Sequence, residues 1–221
     1  MSAEFQRPEG GGRKRRVQGG LLVVVEGVDG VGKSTVLQRL AEFCEVTGYE
    51  WVRSREPTDG PWGRKIRSTS ETGRLSLEEE LELFVRDRQE HVEHLIRPAL
   101  ERGLVVLLDR YYFSTAAYQG ARGADPEAIL QSNERFAPRP DVVLLLDCDP
   151  VVTLERIRGR GGAPDAFEHL EALQAVRRIF LSIRRPGISV VDASGNAVSV
   201  AERCVAQLRE ALGAKTSVWG G

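Results

Sequence analysis

Gly27, Gly32, Lys33 and Ser34 stand at the spacing Gly-x-x-x-x-Gly-Lys-Ser, which puts an ammonium and a hydroxyl directly after residues that tolerate positive φ. That combination suits polyphosphate chemistry. The glycines let several backbone N–H groups converge at the positive end of a helix, Lys33 adds a point charge for the outer phosphates, and the Ser34 hydroxyl is a ligand for Mg2+. Arg55, in Arg55-Glu56-Pro57, offers a planar fork for a phosphate. Asp109-Arg110-Tyr111 sets a carboxylate able to hold a metal through water beside a second guanidinium. Arg156, Arg158 and Arg160 lie on a segment with Gly159, Gly161, Gly162 and Pro164, a cationic lid able to close over phosphate oxygens.

The elements that must position these groups are legible from periodicity. In residues 21–37, LLVVVEGVDGVGKSTVL, the β-branched run Val23, Val24 and Val25 reads as a strand buried on both faces. Val36, Leu37, Leu40 and Phe43 then share one face of a helix that begins at Lys33. Further strands are expected over residues 49–54, 104–108, 142–146 and 188–191, so that Arg55 and Asp109 fall at carboxyl ends, where parallel sheets bind ligands. Between them lie helical segments: 62–68 with Ile66 inward, a long one from the capping box Ser76-x-x-Glu79 to about Arg102, 114–120, one opened by Asp125-Pro126-Glu127, 167–183 and 198–212. Pro98 is expected to loosen the long helix, and Asp147 and Asp149 to act as caps. This alternation calls for a three-layer α/β/α fold with a five-stranded parallel sheet and right-handed crossovers.

Composition bounds the function classes. The 221 residues, 41% hydrophobic and 29% charged with a net charge of -1, suit one globular domain and give no global basic field for a nucleic-acid polymer. No apolar run is long enough to cross a bilayer and no secretory leader is visible, so a cytoplasmic location is expected. Cys44, Cys148 and Cys204 read as buried reduced thiols, and His91 and His94, alternating with Glu90 and Glu93, as a solvated helix face rather than metal ligands. Residues 1–19, with a glycine run and Arg13-Lys14-Arg15-Arg16, are expected to be a disordered extension, 20–213 the domain and 214–221 a tail.

Taken together, Glu26 to Thr35, Arg55-Glu56-Pro57, Leu83-Phe84 through Arg88, Asp109-Arg110-Tyr111, Ser114 with Ala117-Tyr118-Gln119-Gly120, and the arginine-rich lid resemble thymidylate kinases over most of residues 21–212. The resemblance implies transfer of the γ-phosphoryl of ATP to dTMP, with Mg2+, in a homodimer. ATP would be held by Gly27, Gly30, Val31, Gly32, Lys33, Ser34 and Thr35, and the metal by Ser34 and Asp109. Asp29 would contact the deoxyribose 3′-hydroxyl, Arg55 and Arg110 the acceptor phosphate, and Phe84 would stack on the thymine. Arg88 would bond the base, while Ser114, Tyr118 and Gln119 would line the same pocket. Gly30 stands where some members carry an arginine, which assigns the catalytic charge to Lys33, Arg110 and the lid residues Arg156, Arg158 and Arg160.

Three places depart from the family pattern: Thr58-Asp59-Gly60-Pro61-Trp62 after Arg55-Glu56-Pro57, Arg86 where a small residue is common, and Ala166 where many bacterial members have a lid arginine. Two alternatives stand beside the reading. One is a kinase of another pyrimidine monophosphate (dUMP, UMP or CMP), since a single methyl group is worth only about 1 kcal/mol. The other is a nucleotide-binding regulator that has lost transfer.

Overall fold

The computed structural model describes residues 14–72, 75–158 and 166–217. Strand β1 (Leu21–Glu26) is buried at all six positions. Successive side chains of a strand point to opposite faces, so the sheet around β1 is covered on both sides. The other strands are β2 (Trp51–Arg55), β3 (Val105–Asp109), β4 (Val142–Asp147) and β5 (Ile188–Asp192). Their order is β2-β3-β1-β4-β5, with every neighbouring pair parallel. The expected five-stranded α/β/α architecture is therefore borne out. Crossovers leave β1 toward both edges, and the crevice at the carboxyl ends of β1 and β3 is where such sheets receive ligands.

Helices α1 (Lys33–Thr47) and α9 (Ala197–Ser217) pack on one another and against the sheet. Helix α2 (Pro61–Thr72) lies on α3 (Leu77–His91), which opens with the predicted capping box: Ser76 accepts from the Glu79 N–H and Glu79 accepts from the Ser76 N–H. The loosening attributed to Pro98 lies upstream of it. Residues Val92–Ile96 form a π turn before α4 (Arg97–Glu101), because proline has no N–H and its ring presses on the carbonyl four residues back, at His94. Helices α5 (Tyr112–Gly120), α6 (Pro126–Glu134), α7 (Pro150–Arg158) and α8 (Ala166–Ser182) complete the described helices. The three cysteines are buried and free, and burial pushes the Cys44 thiol up to about 12.

Several local expectations need correction. Residues 15–17 are tied to the domain: Arg15 bridges to Tyr49, the Val17 N–H donates to the Gly103 carbonyl, and Val17 is buried in the core. A single apolar residue among basic ones was enough to dock this strap. At the other end α9 runs to Ser217, and Lys215 donates to the Gly20 carbonyl and pairs with Asp141, so residues 214–217 are helix rather than tail. Asp149 caps α7 through the Val151 N–H, but Asp147 instead makes a two-pronged pair with Arg177.

Candidate active site

The loop between β1 and α1 passes through Gly27, Gly30 and Gly32 with φ of 135°, 80° and 110°. A Cβ at Gly27 would also lie 2.5 Å from the Leu146 carbonyl oxygen, so both conformation and space demand glycine there. Helix α1 starts without a side-chain cap, which leaves its first N–H groups for an anion. Lys33 Nζ donates to the carbonyl oxygens of Gly27 and Val28 at 3.0 and 2.9 Å, placing the ammonium within the curve of the loop. Burial, followed by the neighbouring Arg110 charge, lowers the Lys33 amine to about 8. Val31 is buried in the core, so only its backbone faces a ligand, whereas Ser34 and Thr35 are exposed at the helix start.

Asp109 ends β3 level with Val25 of β1 and Arg55 of β2. Its Oδ1 is buried with no hydrogen-bond partner among the described residues. An orphaned carboxylate oxygen at this strand end suits a hard divalent cation, for which the exposed Ser34 hydroxyl could supply a second oxygen.

Arg110 follows with φ 68°, in the left-handed region that costs a non-glycine residue about 1 kcal/mol or more. This turn sends its guanidinium across to the loop. Nη2 donates to Asp29 Oδ1 at 2.5 Å, Nη1 donates to Ser114 Oγ at 3.0 Å, and the group lies 5.1 Å from the centre of the Tyr118 ring. The Tyr118 hydroxyl donates to the other Asp29 oxygen at 3.0 Å. Burial alone would push the Asp29 carboxyl up, yet Arg110, Lys33 and Tyr118 together hold it below the usual carboxylate range. The structure thus brings Asp29, Arg110, Ser114 and Tyr118 together.

Beneath them lies Glu26, to which the sequence assigned no role. Its Oε1 accepts from the N–H groups of Tyr111 and Ser114 at 2.8 and 3.2 Å, and its Oε2 accepts from the Ser114 hydroxyl at 2.6 Å. Helix α5 has no side-chain cap from its own first residue, so a carboxylate from β1 serves instead. Burial raises Glu26 to about 7, against the opposing effects of the Ser114 bond and the Arg110 charge.

A cavity of about 600 Å³ opens beside this cluster, walled by α2, α3, α5 and α8. Of the expected substrate residues, Asp29, Phe84, Arg88, Arg110, Ser114, Tyr118 and Gln119 all line it. Phe84 is half-buried on the wall. Arg88 is buried and held by Glu56, Asn133 and Thr115. Gln119 donates through Nε2 to Glu80 at 3.0 Å, and its Oε1 is buried without a partner among the described residues. His91 corrects its reading as a solvated residue: it is buried and bonds Glu56 and Ser54, while His94 is exposed.

Arg55 is the expected substrate residue that the cavity wall does not include. Its Nη2 pairs with Asp59 at 2.8 Å, and Asp59 also pairs with Arg67. The departing loop is itself tied to α3, since Thr58 bonds Asp87 through both N–H and hydroxyl and Trp62 Nε1 donates to Glu90 at 3.0 Å. Arg86 lies over the Trp62 ring at 4.9 Å and pairs with Glu82, so it braces this loop from outside the cavity. Of the arginines expected to form a lid, Arg156 on α7 donates to the Ala193 carbonyl from both Nη atoms at 3.2 Å, and Arg158 is exposed at the end of α7. Arg160 lies outside the described residues, and Ala166 opens α8.

Comparison with known proteins agrees with this arrangement. The family model described as thymidylate kinase matches residues 25–204. The thymidylate kinase of Xanthomonas euvesicatoria pv. vesicatoria (strain 85-10) is 51% identical over 199 residues, covering 90% of this chain and 88% of its own. That of Xanthomonas campestris pv. campestris (strain B100) is 50% identical over 194 residues, covering 88% and 85%. That of Xylella fastidiosa (strain M23) is 47% identical over 201 residues, covering 91% and 92%. With a phosphate loop, an arginine cluster and a lined cavity in one crevice, and identity near one half across nearly the whole length of these relatives, the chain belongs to the thymidylate kinase family.

Proposed function

We propose that the protein transfers the γ-phosphoryl of ATP to dTMP, giving dTDP and ADP. The observation that carries this reading is the bridge from Arg110 to Asp29, which joins the phosphate loop to the wall of the adjoining cavity. A donor and an acceptor held on either side of that bridge meet phosphate to phosphate. The acceptor oxygen is already anionic, so a strong general base is dispensable and the protein's work is alignment and charge stabilisation.

In this reading the N–H groups at the start of α1 and Lys33 hold the β- and γ-phosphates, and Arg110 holds the acceptor phosphate. Arg55 supplements it once released from Asp59. Phe84 stacks on the base and Arg88 bonds its edge, while Asp29 takes the sugar hydroxyl. Ser34 and Asp109 would hold Mg2+, which would supply positive charge to offset the negative charge of the transferred group. Arg156, Arg158 and Arg160 supply the lid charge and exclude water, since water competes with dTMP for the phosphoryl group. A homodimer acting in the cytoplasm accompanies the proposal on family resemblance. Incubation with ATP labelled in the γ-phosphoryl tests it: label should appear in dTDP in the presence of dTMP. Label released only as inorganic phosphate contradicts it.

A further inference from the structure

Behind the base end of the cavity lies a buried polar network that the transfer reaction itself does not require. Arg88 Nε donates to Glu56 Oε2 at 2.8 Å and Nη2 approaches the same oxygen at 2.7 Å; Nη2 also donates to Thr115 Oγ1 at 3.0 Å and Nη1 to Asn133 Oδ1 at 2.6 Å. A guanidinium carries five N–H groups in a rigid fork and no acceptor. Four are thereby committed, and one on Nη1 remains without a partner among the described residues, on a side chain that lines the cavity. The other Glu56 oxygen is held by His91 Nδ1 at 3.0 Å, and His91 Nε2 bonds Ser54 Oγ at 2.8 Å. Ser54 and Glu56 flank the end of β2, while His91 is one turn beyond Arg88 on α3. Glu56, Arg88, His91, Thr115 and Asn133 are all buried.

Burying a guanidinium and a carboxylate together is costly unless geometry and hydrogen bonding are complete, and a hydrophobic pair would serve stability at least as well. Completeness here leaves one donor over. A lone N–H facing a pyrimidine donates to an oxygen at C4 but meets a second donor in an amino group at C4, so its direction separates the two classes of base. We infer that Glu56, fixed from behind by His91, is the positioning residue that holds Arg88 with its uncommitted N–H toward the base, and thereby sets preference for 4-oxo over 4-amino pyrimidine nucleotides. The inference rests on the assignment of the cavity to the acceptor nucleotide.

The test is steady-state kinetics with dTMP and dCMP on the wild type, Glu56→Gln, His91→Leu, Arg88→Lys and the Glu56→Gln/Arg88→Lys double variant. Glu56→Gln should raise KM for dTMP about tenfold or more, the effect of losing one charge-assisted hydrogen bond. KM for ATP should stay within about twofold and the dTMP-to-dCMP preference should fall. His91→Leu, which keeps the Glu56–Arg88 pair, should move the same two quantities in the same direction by a smaller factor, and it carries the test if Glu56→Gln does not fold. In the Arg88→Lys background, Glu56→Gln should add no further loss of preference. Equal loss for dTMP, dCMP and ATP, or a Glu56 effect that persists undiminished without Arg88, overturns the positioning role while leaving the cavity's assignment standing. A wild-type enzyme that does not use dTMP overturns that assignment and the inference with it.

Discussion

Arg110 and Asp29 are joined by a hydrogen bond of 2.5 Å across the crevice between β3 and the phosphate loop. Arg110 reaches this position from a left-handed backbone turn, with Ser114 and Tyr118 fixing the guanidinium on either side. The pair couples the geometry of the two halves of the site, because the residue proposed for the acceptor phosphate is oriented by a residue of the donor loop. Asp29→Asn should therefore act on the acceptor side: KM for dTMP rises about tenfold, equivalent to about 1.4 kcal/mol, with a smaller change in KM for ATP. Kinetics with each substrate varied at saturating concentrations of the other will check this.

Asp59 stands in the loop that departs from the family pattern and holds both Arg55 and Arg67. The pairs are exposed, so each contributes at most about 1 kcal/mol to stability. Their effect on binding is a competition, since Asp59 occupies the guanidinium that a phosphate would use. Asp59→Asn is expected to lower KM for dTMP by about two- to fivefold without changing the unfolding temperature by more than a few degrees. A rise in KM would show that Asp59 orients Arg55 rather than competing for it.

Among the described residues, Lys33 donates only to carbonyl oxygens of the loop it serves, so little of the fold depends on its ammonium. Lys33→Ala should reduce kcat by about a hundredfold or more, within the range for removal of a charge that acts on the transferred group. Circular dichroism and the unfolding midpoint should remain close to those of the wild type. Near-normal turnover in this variant is incompatible with the site as described.

Much of this site was legible from the chain. The glycine loop, the strand ends at Arg55 and Asp109, and the capping box at Ser76 are local patterns, set by residues within a few positions of one another. The network around Arg88 was not, because Glu56 lies 32 residues away, Thr115 27 and Asn133 45. His91 misled for the same reason: flanked by glutamates it reads as a solvated residue, and only the packing of α3 over the end of β2 turns it inward onto Glu56. The docking of Val17 rested on one apolar side chain, too sparse a signal for periodicity to register.

Glu26 gives the account a pH signature. Its folded-state value of about 7 lies above the ordinary carboxylate value of 4.5. A carboxyl raised on folding favours the folded state fully below its unfolded value, and that contribution is lost as pH rises through the folded value. The stability advantage of the wild type over Glu26→Gln should thus be largest near pH 4 and be lost by pH 8. Denaturant unfolding of both proteins at the two pH values reads this directly, and an advantage that grows with pH would place the carboxylate's charge, rather than its burial, in control.

The central claim is that the cavity beside the phosphate loop accepts dTMP. Its most direct measurement is ADP release from ATP across a panel of dTMP, dUMP, UMP and dCMP, compared as kcat/KM. The account predicts the highest value for dTMP, a lower one for dUMP, and the lowest for dCMP. Tight ATP binding without transfer to any of these nucleotides, or a preference for dCMP over dTMP, would contradict it.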